Sequence, residues 1–96
     1  MRLDQFLRAS RLVLRRTVAQ ELCEAGAVSV NAAPARSSRA VRVGDLINIK
    51  RRDRSLEVRV AALPTTKQVS RSEAPALYEI LSDTKTNDEM ETPNGK

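Results

Sequence analysis

The spacing of apolar residues at the start of the chain predicts two short helices. One face of the first helix is formed by residues three, four and seven positions apart: Leu3, Phe6, Leu7 and Ser10. After a break over residues 10–14, the segment RTVAQELCEAG (16–26) predicts a second helix with an apolar stripe. Gly26 is expected to close this helix, because glycine readily adopts the left-handed conformation that often follows a helix end.

From Val28 onward the apolar period changes from helical to alternating, which predicts short strands. The first strand ends at a turn over residues 31–34, and a second apolar run covers residues 41–49 with a turn at its middle. A third strand follows a basic turn at residues 50–54. Two helices followed by an antiparallel sheet predict a small α+β domain, which we place at residues 1–63.

The last third of the chain predicts a connection, one short element and a tail. Residues 64–81 begin as a polar connection and end in SEAPALYEIL, which fits either a short helix capped by Ser72 or, over YEIL, an edge strand. Leu77, Tyr78 and Leu81 give this element one apolar face. Residues 82–96 have almost no apolar content, so a disordered acidic tail is expected.

Basic residues are concentrated in the first two thirds of the chain. Residues 1–62 carry 13 basic and 6 acidic side chains, a net charge of +7, whereas residues 63–96 carry 4 and 6, a net charge of −2. No acidic residue stands between Asp4 and Glu21, although that stretch holds four arginines. Arginine grips phosphate through a planar fork, so this distribution favours nucleic acid over a membrane surface or an acidic protein.

Composition narrows the remaining classes of function. Aromatic residues make up 2% of the chain, which argues against the aromatic stacking platform of many single-strand RNA binders. The single cysteine, Cys23, forms no internal disulfide and is expected to be a small buried hydrophobic residue. The chain has no histidine and only three glycines, so we expect no enzyme, no metal site and no cofactor. No stretch approaches the roughly 20 apolar residues that span a bilayer, so a cytoplasmic protein is expected.

Five ordered motifs resemble the S-four (S4) RNA-binding domain family. They are RLD at 2–4, the arginine at 16, A-x-x-L-C-x-x-G at 19–26, V-x-V-N at 28–31 and V-x-V-G-D-x-I-x-I at 41–49. The resemblance covers residues 1–60 and implies a helix–loop–helix packed on a small antiparallel sheet, with structured RNA bound along the helices. It also implies that Arg2 and Arg16 hold the family's most characteristic basic positions. Asp4 is then expected either to orient one of these arginines or simply to stabilise the first helical turn.

Two positions depart from the family pattern. Arg15 stands where a serine commonly caps the second helix, so the cap is lost and a positive charge is gained. Asn31 and Ala32 replace the usual Asn-Gly turn, and a positive backbone angle is costly at alanine. We therefore expect a different turn there and assign no function to Asn31.

The residues expected to bind RNA form two groups. The first group surrounds the helices and the loop that follows the first hairpin: Arg2, Asp4, Arg8, Arg11, Arg15, Arg16, Arg36 and Arg39. The second group, for which a solvated hairpin tip is the alternative, is Lys50, Arg51, Arg52 and Arg54. Any single surface arginine also fits a solubilising charge. The first group is harder to explain that way, because no carboxylate interrupts its central stretch.

Three segments, RLDQFL, SRLVLRRTVA and SEAPALYEIL, together with the free-standing length of the chain, are similar to those of bacterial ribosome-associated quality-control factors. That similarity implies a monomeric, non-catalytic factor that binds 23S rRNA and peptidyl-tRNA on the split large ribosomal subunit. It further implies that the factor supports alanine tailing of the stalled chain with RqcH. Two alternatives stay open: a heat-shock-type rescue factor, whose family shares SEA-x-x-LY, and a protein-binding adaptor acting through Leu77 and Tyr78.

Overall fold

The computed structural model describes residues 1–64 and 72–85, in which two helices pack on one five-stranded antiparallel sheet. The elements are α1 (Leu3–Ala9), α2 (Arg16–Glu24), β1 (Val28–Val30), β2 (Ala33–Pro34), β3 (Leu46–Arg51), β4 (Arg54–Val60), a 3₁₀ turn (Ala74–Leu77) and β5 (Tyr78–Lys85). The strands lie in the order β2-β1-β3-β4-β5, and every neighbouring pair is antiparallel. The predicted α+β class and helix–loop–helix are confirmed.

A single aliphatic core joins the helices to the sheet. The predicted face of α1 is buried, and alternate residues of β1, β3 and β4 meet it because strand side chains point to opposite faces in turn. The strand residues in this core are Val28, Val30, Ile47, Ile49, Val58 and Val60. Cys23 is buried as predicted, and this burial raises the pKa of its thiol.

Single residues mark the two ends of α2, Arg15 before its start and Gly26 after its last turn. Arg15 flanks its start in an extended conformation and makes no side-chain capping bond, so the predicted loss of the cap is confirmed. At the other end Gly26 has a φ of 76°. The Gly26 N–H donates to the Cys23 carbonyl at 3.1 Å, and the Ala27 N–H donates to the Leu22 carbonyl at 2.9 Å. Gly26 therefore closes the helix in the left-handed conformation, as predicted.

The turn between β1 and β2 differs from the expectation. Asn31 and Ala32 both adopt positive φ, 53° and 70°, which is the geometry of a two-residue type I′ turn. Ala33 and Pro34 belong to a strand and not to the turn. The predicted apolar run at 41–49 likewise becomes a strand only from Leu46.

Asn31 explains why the unfavourable backbone at Ala32 is tolerated. Its backbone N–H donates to the Leu46 carbonyl at 2.7 Å, and its Oδ1 accepts the Leu46 N–H at 3.0 Å. Its Nδ2 also donates to Asp45 Oδ1 at 3.2 Å. These three bonds tie the turn to the start of β3 and offset the cost of the left-handed alanine.

The C-terminal segment is mainly a strand. Within residues 72–85 the predicted helix is reduced to the 3₁₀ turn of Ala74–Leu77, and the residue that flanks its start is Glu73, not Ser72. YEIL begins β5, so the edge-strand alternative is correct. The expected apolar face is divided: Leu77 is buried in the core, whereas Leu81 is exposed.

The predicted disorder is wrong for residues 82–85, which continue β5 along β4. The reason is backbone pairing with residues 54–57 of β4, to which ion pairs between arginines of β4 and acidic residues of β5 add. Arg54 binds Asp83 through two hydrogen bonds of 2.8 and 2.6 Å, and Arg59 binds Glu79. Residues 65–71 of the predicted connection and 86–96 of the predicted tail lie outside the described residues.

Replacing Ala32 with glycine tests the assignment of the turn. An L-residue in the left-handed conformation costs about 1–2 kcal/mol, and replacing it with glycine removes this cost. The greater entropy of glycine in the unfolded chain opposes the gain by about 0.5–1 kcal/mol. We therefore expect Ala32→Gly to raise the free energy of unfolding by about 0.5–1 kcal/mol, which thermal unfolding followed by circular dichroism measures. Ala33→Gly, in the adjacent strand, is the control and should lower the melting temperature. An Ala32→Gly protein no more stable than the wild type would contradict the argument.

Candidate nucleic-acid interface

A buried carboxylate links the two helices. The Asp4 side chain is 0% exposed. Its Oδ1 accepts hydrogen bonds from Arg2 Nε at 3.3 Å and from the Gln5 N–H at 2.8 Å, and its Oδ2 accepts from Arg16 Nε at 3.2 Å and Gln20 Nε2 at 2.9 Å. Four donors use the hydrogen-bonding capacity of a carboxylate. We refer to Arg2, Asp4, Arg16 and Gln20 as the Asp4 cluster.

The electrostatics of the Asp4 cluster keep Asp4 ionised. Burial raises the pKa of Asp4, but the hydrogen bonds from Gln20 and Arg16 and the positive charges of Arg2 and Arg16 outweigh that effect. The resulting pKa lies below the ordinary value of 3.8. Asp4 therefore presents a fixed negative charge to both arginines, which supports its role in orienting them over a role confined to the first helical turn.

The two arginines of the cluster remain available to a ligand. Their side chains are 45% and 46% exposed, although both contact the buried carboxylate. Each hydrogen-bonds to Asp4 through Nε, so these bonds do not consume the terminal amino groups of either guanidinium. Guanidinium groups bind phosphate oxygens in a planar, charge-assisted geometry. Because Asp4 already restricts both side chains, less conformational entropy is lost when a ligand binds.

The loop after β2 lies against the start of α1. The N–H groups of Leu3 and Asp4 donate to the carbonyls of Arg39 and Ser37, at 2.8 and 3.1 Å. First-turn amides have no partner within their own helix, so this loop satisfies them. The contact brings the backbone of the predicted residues Arg36 and Arg39 beside the Asp4 cluster, and both side chains are exposed.

The remaining residues of the first predicted group lie around the bend between the helices. Arg8 is in the last turn of α1, Arg11 follows that helix, and Arg15 precedes α2. All three side chains are exposed. Buried Val13 anchors the bend to the core. The structure therefore places the first predicted group on the two helices, their bend and one docked loop.

The second predicted group lies on β3, the turn after it and the start of β4, and it divides into two parts. The turn contains only residues 52 and 53, because Lys50 and Arg51 belong to β3 and Arg54 to β4. This corrects the predicted basic turn at 50–54. The Arg54 guanidinium is engaged by Asp83, whereas the side chains of Lys50, Arg51 and Arg52 are exposed.

Sequence reasoning missed Gln20. It stands four residues after Arg16, and this spacing places both on one face of α2. That spacing is the only signal in the sequence, and it does not distinguish a glutamine that faces solvent from one that donates to a buried carboxylate. Gln20 supplies the neutral donor that completes the cluster without adding a third positive charge.

Within residues 1–64 and 72–85, no helix is long and apolar enough to cross a membrane. The same residues contain no group of three or more side chains arranged to hold a metal ion.

The helix pair joined through Asp4 and the antiparallel sheet together define a domain of the S4 class, and residues 1–47 match the S4 domain family. The chain is 36% identical to the RQC P-site tRNA stabilizing factor of Streptococcus pneumoniae, with 94% of this chain and 100% of that protein covered. It belongs to the family of RQC P-site tRNA stabilizing factors, which confirms the resemblance drawn from its motifs.

Two solved structures share the fold. The trimeric structure of Vibrio cholerae heat shock protein 15 superposes with a TM-score of 0.75 at 26% identity, covering 85% of this chain and 82% of that one. The solution structure of the hypothetical protein HP1423 gives a TM-score of 0.74 at 32% identity, covering 85% of this chain and 98% of that one.

The pH dependence of stability tests the role of Asp4. Since the folded-state pKa is depressed, the stability that Asp4 contributes is present above its unfolded pKa of about 3.9 and is lost as the pH falls through the lower folded value. Asp4→Asn should cost about 1–3 kcal/mol at pH 7. The difference from the wild type should shrink below about pH 4 in urea titrations followed by circular dichroism.

Asp53→Asn is the control for removing an exposed carboxylate from the hairpin turn, and it should change the free energy of unfolding little at pH 7. A difference between wild type and Asp4→Asn that stayed constant from pH 7 to pH 3 would show that the charge of Asp4 contributes nothing.

Proposed function

We propose that this protein is a non-catalytic factor that binds the backbone of folded RNA through the Asp4 cluster and the arginines around it. The observation that carries the proposal is the pair of half-exposed guanidinium groups held on one buried carboxylate. Duplex RNA has a deep, narrow major groove that side chains do not read, so a compact domain recognises its shape through phosphates and 2′-hydroxyls. Arginines set around a helix bend suit that task.

The RNA we propose is that of the large ribosomal subunit together with its tRNA. Membership of a family named for stabilising the P-site tRNA supports this choice. The factor binds 23S rRNA and peptidyl-tRNA after a stalled ribosome splits, acting as a monomer in the cytoplasm. It holds the tRNA in place while RqcH brings alanyl-tRNA for alanine tailing. Its contribution is steric and electrostatic positioning.

Similarity to heat shock protein 15 of Vibrio cholerae favours one second candidate, a heat-shock-type rescue factor for blocked large subunits. The adaptor alternative is less well supported. Leu77 is 6% exposed and belongs to the core, and Tyr78 packs against that core. The two residues on which an adaptor was expected to act are therefore largely unavailable to a partner.

Co-sedimentation with separated large subunits, either empty or carrying peptidyl-tRNA, tests the proposal across a salt series. If about six phosphates are neutralised, the logarithm of affinity should fall with the logarithm of salt concentration at a slope of about −4 to −5. Arg2→Ala and Arg16→Ala should each weaken binding about tenfold, because each removes a charge-assisted contact. Arg59→Ala, on the sheet face opposite the helices, is the matched control and should bind as the wild type does.

Preference for the subunit that carries peptidyl-tRNA would support the quality-control role. Equal binding to both subunits would contradict that role and leave RNA binding standing. A salt slope near zero, with wild-type binding by the Arg2 and Arg16 variants, would overturn RNA binding through this site.

The second predicted group has a test of its own. We propose that Arg51 and Arg52 extend the RNA contact, whereas Arg54 attaches β5 to β4. The double change Arg51→Ala and Arg52→Ala should weaken subunit binding and reduce the salt slope by about 1–2, without lowering the melting temperature. Arg54→Ala should do the reverse, lowering the melting temperature and leaving binding intact. The same loss of binding in both variants would contradict this division.

A further inference from the structure

The basic residues around the β3–β4 turn lie at the end of the sheet where β5 finishes. Residues 50–54 hold four basic side chains and one carboxylate. The register pairs Arg51 with Arg54 across the turn, and it pairs Arg54 with Lys85, the last residue of β5. Paired Cα atoms of neighbouring strands lie about 5 Å apart, so the chain leaves β5 directly beside this turn. We refer to the side chains of Lys50, Arg51, Arg52 and Arg54 as the basic end of the sheet.

The charge of the basic end is only partly balanced by the described residues. Arg54 forms an ion pair of 2.6 Å with Asp83. The side chains of Lys50, Arg51 and Arg52 are exposed, and these residues follow one another along the chain. Like charges at such short separation repel each other. An anion that reached this end of the sheet would relieve that repulsion.

The sequence that follows β5 supplies carboxylates within reach of the basic end. Residues 86–96 contain three acidic side chains and one basic side chain, and Asp88 and Glu89 stand three and four positions after Lys85. A chain spans at most about 3.3–3.6 Å per residue, so these two residues stay within about 10–14 Å of the end of β5. Arg51 lies two strands from Lys85, which is about 10 Å across the sheet. The lengths therefore match.

The contacts of β3 favour the basic end over the Asp4 cluster as the partner of these carboxylates. The Lys50 N–H donates to the Ala27 carbonyl at 2.8 Å, so the basic end adjoins the residues that follow α2. Arg16 of the Asp4 cluster lies at the opposite end of α2. A helix rises about 1.5 Å per residue, which separates the two ends of this nine-residue helix by about 12 Å.

We propose that the carboxylates of Asp88 and Glu89 bind the basic end of the sheet and compete there with RNA phosphates. The inference rests on the proposed function, in which Arg51 and Arg52 extend the RNA contact, and it adds a regulation of that contact by the chain itself. A group tethered by a few residues has an effective concentration on the order of millimolar, so binding does not require a strong ion pair. An RNA that contacts only the basic end must displace the carboxylates without other gain. An RNA that also contacts the Asp4 cluster offsets that cost, so the competition favours RNA held by the whole surface.

Neutralising the two carboxylates tests the competition. The double variant Asp88→Asn, Glu89→Gln should bind large subunits carrying peptidyl-tRNA about threefold to tenfold more tightly than the wild type at low salt. The gain should shrink as the salt concentration rises, because exposed charges are screened. The salt slope should accordingly become more negative by about 1–2. Binding by this double variant that is no tighter than wild-type binding at low salt would overturn the proposal.

Two arginine backgrounds locate the contact. When Arg51→Ala and Arg52→Ala are already present, neutralising the carboxylates should produce no gain, because their partners have been removed. Arg8→Ala with Arg15→Ala is the matched background, since it removes the same charge from two exposed side chains at the bend between the helices. The gain should persist there. A gain that persists in the Arg51 and Arg52 background would overturn the proposal, because it would reflect net charge and not a contact at the basic end.

Crosslinking in the absence of RNA separates this inference from the function on which it rests. A zero-length carbodiimide reagent joins a carboxylate to an amine in contact with it, and Lys50 is the amine of the basic end. Mass spectrometry of tryptic peptides should find Lys50 joined to Asp88 or Glu89 at low salt, and Arg51→Ala with Arg52→Ala should reduce this product. Absence of the crosslink, together with salt-dependent binding to large subunits, would overturn the inference alone. A crosslink in a protein whose salt slope is near zero would reject RNA binding, and with it the competition, while the contact within the chain stands.

Discussion

The structure depends on the removal of one carboxylate from water. Transferring a charged group to the interior is unfavourable unless its hydrogen bonds and charge are matched. Asp4 meets both conditions through donors from the chain before α1, from α1 itself and from α2. The same bonds therefore fix how the helices sit together and where two guanidinium groups are held. The packing of the helices and the placement of the exposed guanidinium groups therefore both depend on Asp4.

The position of this carboxylate also explains the role of the loop after β2. The N–H of Asp4 donates to the Ser37 carbonyl while its side chain accepts from both arginines. One residue thus connects a loop, a helix start and a second helix. These polar contacts add to the aliphatic core that joins the helices to the sheet.

The motifs that depend on local chemistry were predictable from the sequence. Apolar spacing identified both helices, and Gly26 identified the end of α2, because backbone angle and periodicity act within a few residues. The role of Gln20 and the extension of β5 over Ser82–Lys85 were not predictable, because they depend on contacts between residues far apart in the sequence. Gln20 is defined by a contact with a residue sixteen positions earlier, and the strand character of Ser82–Lys85 comes from pairing with β4. The prediction for the turn at Ala32 was wrong for the same reason, because Asn31 is held by hydrogen bonds to Asp45 and Leu46, about fifteen residues later in the sequence.

The attachment of β5 has a consequence for the order in which the domain assembles. Strands β1 to β4 follow one another closely in sequence, whereas β5 joins only after the connection beyond Val60. Contacts between residues far apart in sequence form late, because the entropy of closing the loop must be lost first. During synthesis β5 also leaves the ribosome after the rest of the sheet. The helices and the Asp4 cluster are thus set to form before the sheet is complete, and the edge of β4 is the last surface of the sheet that a nascent chain covers.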